Sequence, residues 1–311
     1  MKTSHSLFSL LLAAGFTCFS SFALAAGFDL EKGLAAAAKG DREAQAAVGR
    51  AYLKGDGVGR DYAKAVEFLR KAAEQGVAPA QNNLGACYEK GWGVKPDLAE
   101  AAKWYRKAAE QGSPIAQDNL GLLVASGKGV AKNPAEAAGW YEKAAKQKLL
   151  SAEVHLGQLY YFGGDGFPKN FTEAAKWLSL AAEEGDPVSQ NTLGVMYEQA
   201  LGVPKDYKKA ADWFHKAADQ GDEMGWGNLG RMYAQGLGVE KDPVQAYLWL
   251  GLAAEKGEVT ARHFLVDYES GMTLGQITTA KRMIDEYKER NHLVFSQASQ
   301  GDAVVAPVNK P

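Results

Sequence analysis

Cysteine is almost missing from this 311-residue sequence, which contains only Cys18 and Cys87. An excess of charge of one sign is missing as well, because 35 Lys and Arg residues oppose 37 Asp and Glu residues. The basic residues are spread along the chain, so we expect no broad phosphate-neutralising surface and no nucleic-acid partner. With 46% apolar and 23% charged residues, the composition is that of a folded protein, which excludes disorder throughout.

Motifs for catalysis and metal binding are lacking too. No Gly-x-Ser-x-Gly nucleophile motif occurs, and the histidines after the first have no metal-ligand spacing (His155, His215, His263 and His292). The glycine-rich stretches at 55–58 and 163–166 have neither the lysine of a phosphate-binding loop nor the spaced oxygens of a calcium loop. We therefore expect no metal, no cofactor and no enzymatic activity.

The N-terminus has the three-part order of a secretory signal peptide. Lys2 precedes an apolar stretch from Leu7 to about Phe19, and the small residues Ala23 and Ala25 follow. The alternative is a single membrane anchor, although Ser, Gly and Thr dilute the stretch and no basic stop-transfer cluster follows it. We predict cleavage after Ala25, a periplasmic or secreted protein without membrane insertion, and a mature chain that has no internal disulfide.

A 36-residue period organises most of the chain. A glycine, usually after leucine, recurs at steps of 36, 36, 36, 37 and 36 residues (Gly49, Gly85, Gly121, Gly157, Gly194 and Gly230). An aromatic residue follows the same period (Phe68, Trp104, Trp140, Trp177, Trp213 and Trp249). The 37-residue step coincides with one extra residue in the loop 163–166. The sequence therefore contains six copies of one unit.

Each unit is predicted to form two α-helices. In the second unit the first helix places Ala80, Leu84 and Tyr88 on one side, with Cys87 as a small core residue. The second helix has its own apolar side (Ala101, Trp104, Tyr105 and Ala108). The second helices begin with capping-box spacing, in which each side chain can bond the other's backbone amide (Asp97 with Glu100, Asn133 with Glu136, Asn170 with Glu173, and Asp242 with Gln245).

The glycine after each leucine lies inside a predicted helix and should cost about 1 kcal/mol relative to alanine. We expect the recurring aromatic residue of the paired helix to pack against this glycine and to offset the cost. A lone hairpin cannot bury both apolar faces, so neighbouring units must stack. The predicted fold class is all-α, an α/α superhelical solenoid of tandem helix-turn-helix repeats with helical caps.

The pattern divides the chain into five predicted segments. These are a signal peptide (1–25), an N-terminal half-repeat cap (26–40), six repeats (41–257), C-terminal capping helices (258–290) and a flexible tail (291–311). Within the C-terminal cap, Thr273 with Gln276 opens a helix whose apolar residues would cover the last unit (Ile277, Ala280, Ile284 and Tyr287).

The unit from Ala80 to Ala109 resembles the Sel-type repeat (SLR) family, whose units are related to the tetratricopeptide repeat. The resemblance covers about residues 41–257 and about ten positions in each unit. It implies an interaction scaffold, and exported bacterial relatives act in envelope signalling, polysaccharide assembly or host contact. Three residues depart from the family pattern: Val124 at the tyrosine position, and Lys148 and Ala200 at glycine positions.

By analogy with tetratricopeptide geometry, the first helices line a concave groove that binds another protein. The predicted groove residues are those that vary from unit to unit (Asn82, Glu89, Asp118, Leu122, Val154, Gln158, Tyr161, Phe162, Asn191, Val195, Glu198 and Arg231). The apolar members are candidates for anchors inside a polar rim. Alternatively, Leu122, Val154 and Val195 merely fill space between neighbouring helices.

Two other functions stay open at this point. The groove would bind a glycan if Tyr161, Phe162 and Trp226 served as stacking platforms. An envelope enzyme acting on peptidoglycan or β-lactams is the third hypothesis, prompted by a cysteine-rich branch of the family. That branch pairs cysteines within each repeat, and this sequence lacks them.

Overall fold

A computed structural model describes residues 29–291, and within that range the chain folds into fifteen α-helices without a named strand. None of these helices combines the length and the apolar character needed to cross a bilayer. The predicted signal peptide (1–25) lies outside the described residues, and so does the predicted tail after Asn291.

The helices alternate as the sequence predicts. The first helices of the repeats are α2 (Arg42–Lys54), α4 (Ala78–Lys90), α6 (Pro114–Ser126), α8 (Leu150–Phe162), α10 (Pro187–Gln199) and α12 (Glu223–Gln235). The second helices are α3 (Tyr62–Glu74), α5 (Leu98–Glu110), α7 (Pro134–Ala145), α9 (Phe171–Glu183), α11 (Tyr207–Asp219) and α13 (Pro243–Glu255). Flanking them are α1 (Leu30–Ala38), α14 (Val259–Glu269) and α15 (Leu274–Arg290).

The chain forms two compact units, one ending at Pro96 and the other beginning at Asp97. In the first unit, α2 packs between α1 and α3, and α3 also packs on α4. In the second unit, each helix from α5 to α13 packs on the next, and α14 and α15 both pack on α13. Every first helix in the second unit's repeats buries the leucine of its Leu-Gly pair (Leu120, Leu156, Leu193 and Leu229).

The predicted N-caps of the second helices are confirmed, but the reciprocal half of the capping box is wrong at these positions. Asp97, Asn133, Asn170 and Asp242 each accept a hydrogen bond from a backbone N–H of the first turn. Among the described helices, only Thr273 with Gln276 completes both halves. Elsewhere the glutamate of the predicted capping box pairs with a cation instead, as Glu136 does with Arg106 at 2.9 Å. The reason is that a charged donor binds a carboxylate more strongly than a neutral amide does.

The side chains that pack against the helix-internal glycines also differ from the expectation. A Cβ atom at Gly121 would lie 2.5 Å from the Tyr141 ring, and one at Gly194 would lie 2.6 Å from the Phe214 ring. These are the residues directly after the predicted aromatic residues. Consecutive helical residues point about 100° apart, so only one of the pair can face the glycine. The predicted tryptophans lie to the side, where Lys107, Lys143 and Lys216 cover the rings of Trp104, Trp140 and Trp213.

The two departures at glycine positions keep the glycine conformation. Lys148 has a φ of 61° and Ala200 a φ of 58°, both left-handed. Ala200 ends α10 as Gly91, Gly127 and Gly236 end their helices, with its N–H donating to the carbonyl of Met196. A residue with a Cβ atom pays roughly 1 kcal/mol or more for this conformation.

Replacing Ala200 by glycine should therefore raise the free energy of unfolding by about 1 kcal/mol. Urea denaturation followed by circular dichroism measures the change. Ala99, which is exposed in the first turn of α5, is the matched control. Ala99→Gly should lower stability, because glycine is the poorer helix former. A loss of stability in Ala200→Gly would contradict the prediction.

Candidate partner-binding face

The predicted groove residues divide between the two compact units. Asn82 and Glu89 lie on α4 of the first unit, where both are partly buried and Lys90 Nζ donates to Glu89 Oε1 at 2.6 Å. The other ten lie on α6, α8, α10 and α12 of the second unit. We call the exposed sides of these helices and of α14 the first-helix face.

A polar cluster joins α6 to α8 on the first-helix face. Asp118 is buried, with 5% of its surface exposed. Its carboxylate accepts a hydrogen bond from Ser151 Oγ at 2.7 Å and lies 2.7 Å from His155 Nδ1. The Tyr141 ring packs on His155, and burial together with the Asp118 charge raises the pKa of Tyr141. Because Ser151 bonds to the carboxylate and not to the imidazole, this serine is not arranged as an activated nucleophile.

A second polar cluster joins α10 to α12. Asn228 Nδ2 donates to Asn191 Oδ1 at 2.9 Å. Arg231 donates two hydrogen bonds to the Glu198 carboxylate, at 2.6 and 2.7 Å. Four of the predicted contact residues are thus bonded to a neighbouring first helix (Asp118, Asn191, Glu198 and Arg231). Sequence reasoning missed their partners Ser151, His155 and Asn228, although these follow 33 or 37 residues later, close to one repeat.

The apolar predicted residues differ in exposure. Leu122 is 41% exposed and Phe162 is 66% exposed, so both are open to a partner. Tyr161 is partly buried, with Phe162 and Phe171 packed edge-on against its ring. Val195 is partly buried against the core formed around α11 to α13, and Val154 and Gln158 are also partly buried. The space-filling alternative therefore applies better to Val154 and Val195 than to Leu122.

The prediction that Trp226 stacks on a glycan is wrong. Trp226 is fully buried, and its Nε1–H donates to the carbonyl of Ala218 at 2.8 Å. It occupies the position that Gln190 has in the preceding repeat, whose amide makes the same bond to Ala182. A large residue there serves the core, because its ring fills the interior while its N–H satisfies a helix-end carbonyl.

A pocket of about 230 Å³ lies between α12 and α14. Gly227 opens it, because a Cβ atom there would meet nothing closer than 3.9 Å. The other repeats have larger residues at this position, such as Asp118 and Asn191. The pocket surface is mainly apolar, and its other lining residues are Met224, Asn228, Arg231, Leu250, Glu258, Thr260, Ala261 and Phe264. Sequence reasoning missed this site, although Gly227 was its visible signal.

The charged groups of the pocket already have hydrogen-bonding partners. The Arg231 guanidinium is paired with Glu198. The Glu258 carboxylate caps α14, where the backbone N–H groups of Thr260 and Ala261 donate to it. The pocket therefore suits an uncharged, apolar group.

Two features of the described residues bear on catalysis. Among residues 29–291, no three or more His, Cys, Asp or Glu side chains are grouped to hold a metal ion. Cys87 is fully buried, and this burial raises the pKa of its thiol to about 11. Its thiolate is disfavoured at neutral pH, which fits the predicted packing role.

Tandem helical hairpins whose first helices bond to one another define the class of α-helical repeat proteins. A family model for the Sel1 repeat matches the chain six times (residues 42–77, 78–113, 114–149, 150–186, 187–222 and 228–258). The chain belongs to the Sel1-repeat family, as the sequence resemblance predicted.

Two solved structures support this membership. A protective antigen of uropathogenic Escherichia coli with an SLR fold is 32% identical, with a TM-score of 0.77, and the match covers 91% of this chain. This chain spans 61% of the antigen's length. A Sel1 repeat protein from Oxalobacter formigenes is 35% identical, with a TM-score of 0.59, and the match covers 72% of this chain and 96% of that protein. A comparison with the curated proteins finds no match.

The predicted fold class is confirmed, because both relatives have the SLR solenoid fold of tandem helical repeats. Sel1-repeat solenoids generally bind other proteins and generally act as non-catalytic scaffolds.

Proposed function

We propose that this protein is a non-enzymatic scaffold, exported to the bacterial envelope or beyond it, that holds a segment of another protein on its first-helix face. The observation that carries the proposal is the α12–α14 pocket beside the polar cluster of Asn191, Asn228, Glu198 and Arg231. An apolar pocket next to fixed polar groups is the arrangement that receives an anchor side chain of a peptide.

The size of the pocket supports a protein side chain as its occupant. Cavities of about 150 Å³ accept a benzene ring, and this pocket measures about 230 Å³. Its mainly apolar walls favour an aromatic or branched aliphatic side chain over a charged one. The exposed Leu122 and Phe162 offer further apolar contacts on the same face.

Export is supported by the N-terminal pattern of Lys2, the apolar stretch and the small residues before Ala26. It is also compatible with the similar E. coli protein, which is described as a protective antigen. Glycan binding is the weaker candidate, because Phe162 alone of the three predicted stacking residues is well exposed.

Filling the pocket should weaken partner capture without unfolding the chain. Gly227→Leu places a side chain in the opening, and we expect roughly a tenfold or greater loss of capture, because a central anchor contributes about 2 kcal/mol. A crosslinking pull-down from the exporting cell, quantified against the unmodified protein, measures the loss.

Gly139→Leu is the matched control. Gly139 is exposed on α7, and a Cβ atom there meets nothing within 4 Å. The control should capture the partner normally, and both variants should keep the helical circular-dichroism spectrum. Normal capture by a folded Gly227→Leu variant would count against the pocket. Retention on a cell-wall polymer column that Phe162→Ala abolishes would favour the glycan hypothesis instead.

A further inference from the structure

Buried glutamine side chains at equivalent positions form hydrogen bonds between successive helices, and we call this series the amide ladder. Four buried glutamines on first helices donate from Nε2 to the carbonyl eight residues earlier, at 3.0 to 3.1 Å (Gln45 to Ala37, Gln81 to Ala73, Gln117 to Ala109, and Gln190 to Ala182). For three of them, Oε1 accepts from a second glutamine 30 residues later, just after the second helix of the same repeat (Gln75 to Gln45, Gln147 to Gln117, and Gln220 to Gln190). Each of these three buried glutamines acts as donor and acceptor at once.

The fourth repeat places carboxyl groups in the ladder. Glu153 on α8 stands where four of the other five repeats have the buried glutamine, and Glu184 at the end of α9 stands where those four have the second one. Glu153 is 3% exposed, and its Oε2 atom is buried without a hydrogen-bond partner. An ionised carboxylate only accepts hydrogen bonds, so it cannot make the bond that glutamine donates to the helix-end carbonyl.

We propose that Glu153 is held as a neutral carboxylic acid that replaces the ladder glutamine, and that its ionisation loosens the junction of α7, α8 and α9. The neutral acid keeps one O–H donor, and the carbonyl of Ala145, eight residues earlier, is the acceptor equivalent to those of the other repeats. When the proton leaves for solvent, the buried charge loses that bond and opposes the packing of α8 on its neighbours. The fourth repeat is thus a pH-sensitive joint within the second unit.

The surrounding charges favour the neutral form. Burial and the Glu184 charge raise the pKa of Glu153 to about 6, and Lys148 in the α7–α8 loop opposes them only in part. On the side of α8 toward α6, Asp118 is already engaged by Ser151 and His155.

The direction of the pH effect follows from this shift. The pKa of Glu153 is raised from the ordinary 4.5 to about 6 in the folded chain. The folded state therefore binds more protons than the unfolded state between these values. The stabilisation by the neutral acid is complete below pH 4.5 and is lost as the pH rises through 6. A shift of this size corresponds to a change of about 30-fold in an opening equilibrium.

Hydrogen exchange on the full chain tests the joint, with intrinsic exchange rates corrected for pH. Between pH 4.5 and 7 the opening constant of the α8 amides should increase by up to about 30-fold in the unmodified protein. In Glu153→Gln this increase should vanish. In the reciprocal variant Gln117→Glu, a similar increase should arise in α6. The double variant Asp118→Asn with His155→Asn recreates the Asn228–Asn191 pair and should keep the increase in α8.

Equal pH dependence in the unmodified protein and Glu153→Gln would overturn the proposal. Loss of the pH-dependent increase in the Asp118 and His155 double variant would overturn it as well, because the increase would then depend on the Asp118–His155 pair and not on Glu153. A ¹³C carboxyl titration of the unmodified protein decides the question even where Glu153→Gln fails to fold. A Glu153 midpoint near pH 6 supports the joint, and a midpoint at the ordinary glutamate value refutes it.

Discussion

Alanine in place of Gly238 should lower the free energy of unfolding of the second unit by about 4 kcal/mol. Gly238 has a φ of +71°, and a Cβ atom there would overlap the Tyr207 carbonyl and lie 2.7 Å from the Lys208 nitrogen. The left-handed conformation contributes roughly 1 kcal/mol and the overlap about 3 kcal/mol. The overlap is severe because these atoms belong to the backbone of α11 and cannot rotate away. Glycines at the same loop position meet equivalent backbone (Gly93, Gly129 and Gly202).

Gly257→Ala separates the two contributions. Gly257 has a φ of +99°, but a Cβ atom there meets nothing within 4 Å. This control should lose only about 1 kcal/mol. Urea denaturation of both variants, followed by circular dichroism and tryptophan fluorescence, gives the comparison. If both variants lost the same free energy of unfolding, the close approach of the loop to α11 would contribute nothing to the loss.

Alanine in place of Gly230 should destabilise the protein by about 2 to 3 kcal/mol, although alanine is the better helix former. A Cβ atom at Gly230 would lie 2.7 Å from Leu250 Cγ and 2.9 Å from the Leu250 nitrogen. The side chain of Leu250 can move, but its backbone nitrogen is held in α13. The two helices would have to separate, which opens the core around Leu229 and Leu250.

Gly227 provides the control within the same helix. Because it has open space around it, Gly227→Ala should stabilise α12 by up to about 1 kcal/mol. Chemical denaturation of the two variants should therefore give shifts of opposite sign. If Gly230→Ala were neutral or stabilising, close helix contact would not be the reason for the recurring glycine.

The repeat pattern predicted two helices in each unit, their N-caps and the glycines that end them, but it predicted the contacts between the helices less well. Trp140 and Tyr141 are adjacent on α7, so periodicity alone cannot tell which of the two meets a glycine on another helix. The structure assigns that role to the second of the pair, as Tyr141 and Phe214 demonstrate.

The candidate site was harder to predict. Variation between repeats singled out Leu122 and Phe162, and both are exposed in the structure. It could not reveal that Asp118 faces His155 or that Arg231 faces Glu198, since these bonds depend on how far one first helix is offset from the next. The same limit explains Trp226, because its neighbour Ala218 lies on another helix.

Sequence alone determined the number of repeats, the alternation of helices, their N-caps and the glycines that end them. These features depend on local propensity and on a period that recurs six times, so each copy corroborates the others. Tertiary structure alone decided which polar residues are paired, where Gly227 leaves a pocket, and that Glu153 stands in a ladder of amides without a partner for Oε2. The physical reason is that hydrogen bonding and burial between helices depend on stacking geometry, which no single helix encodes.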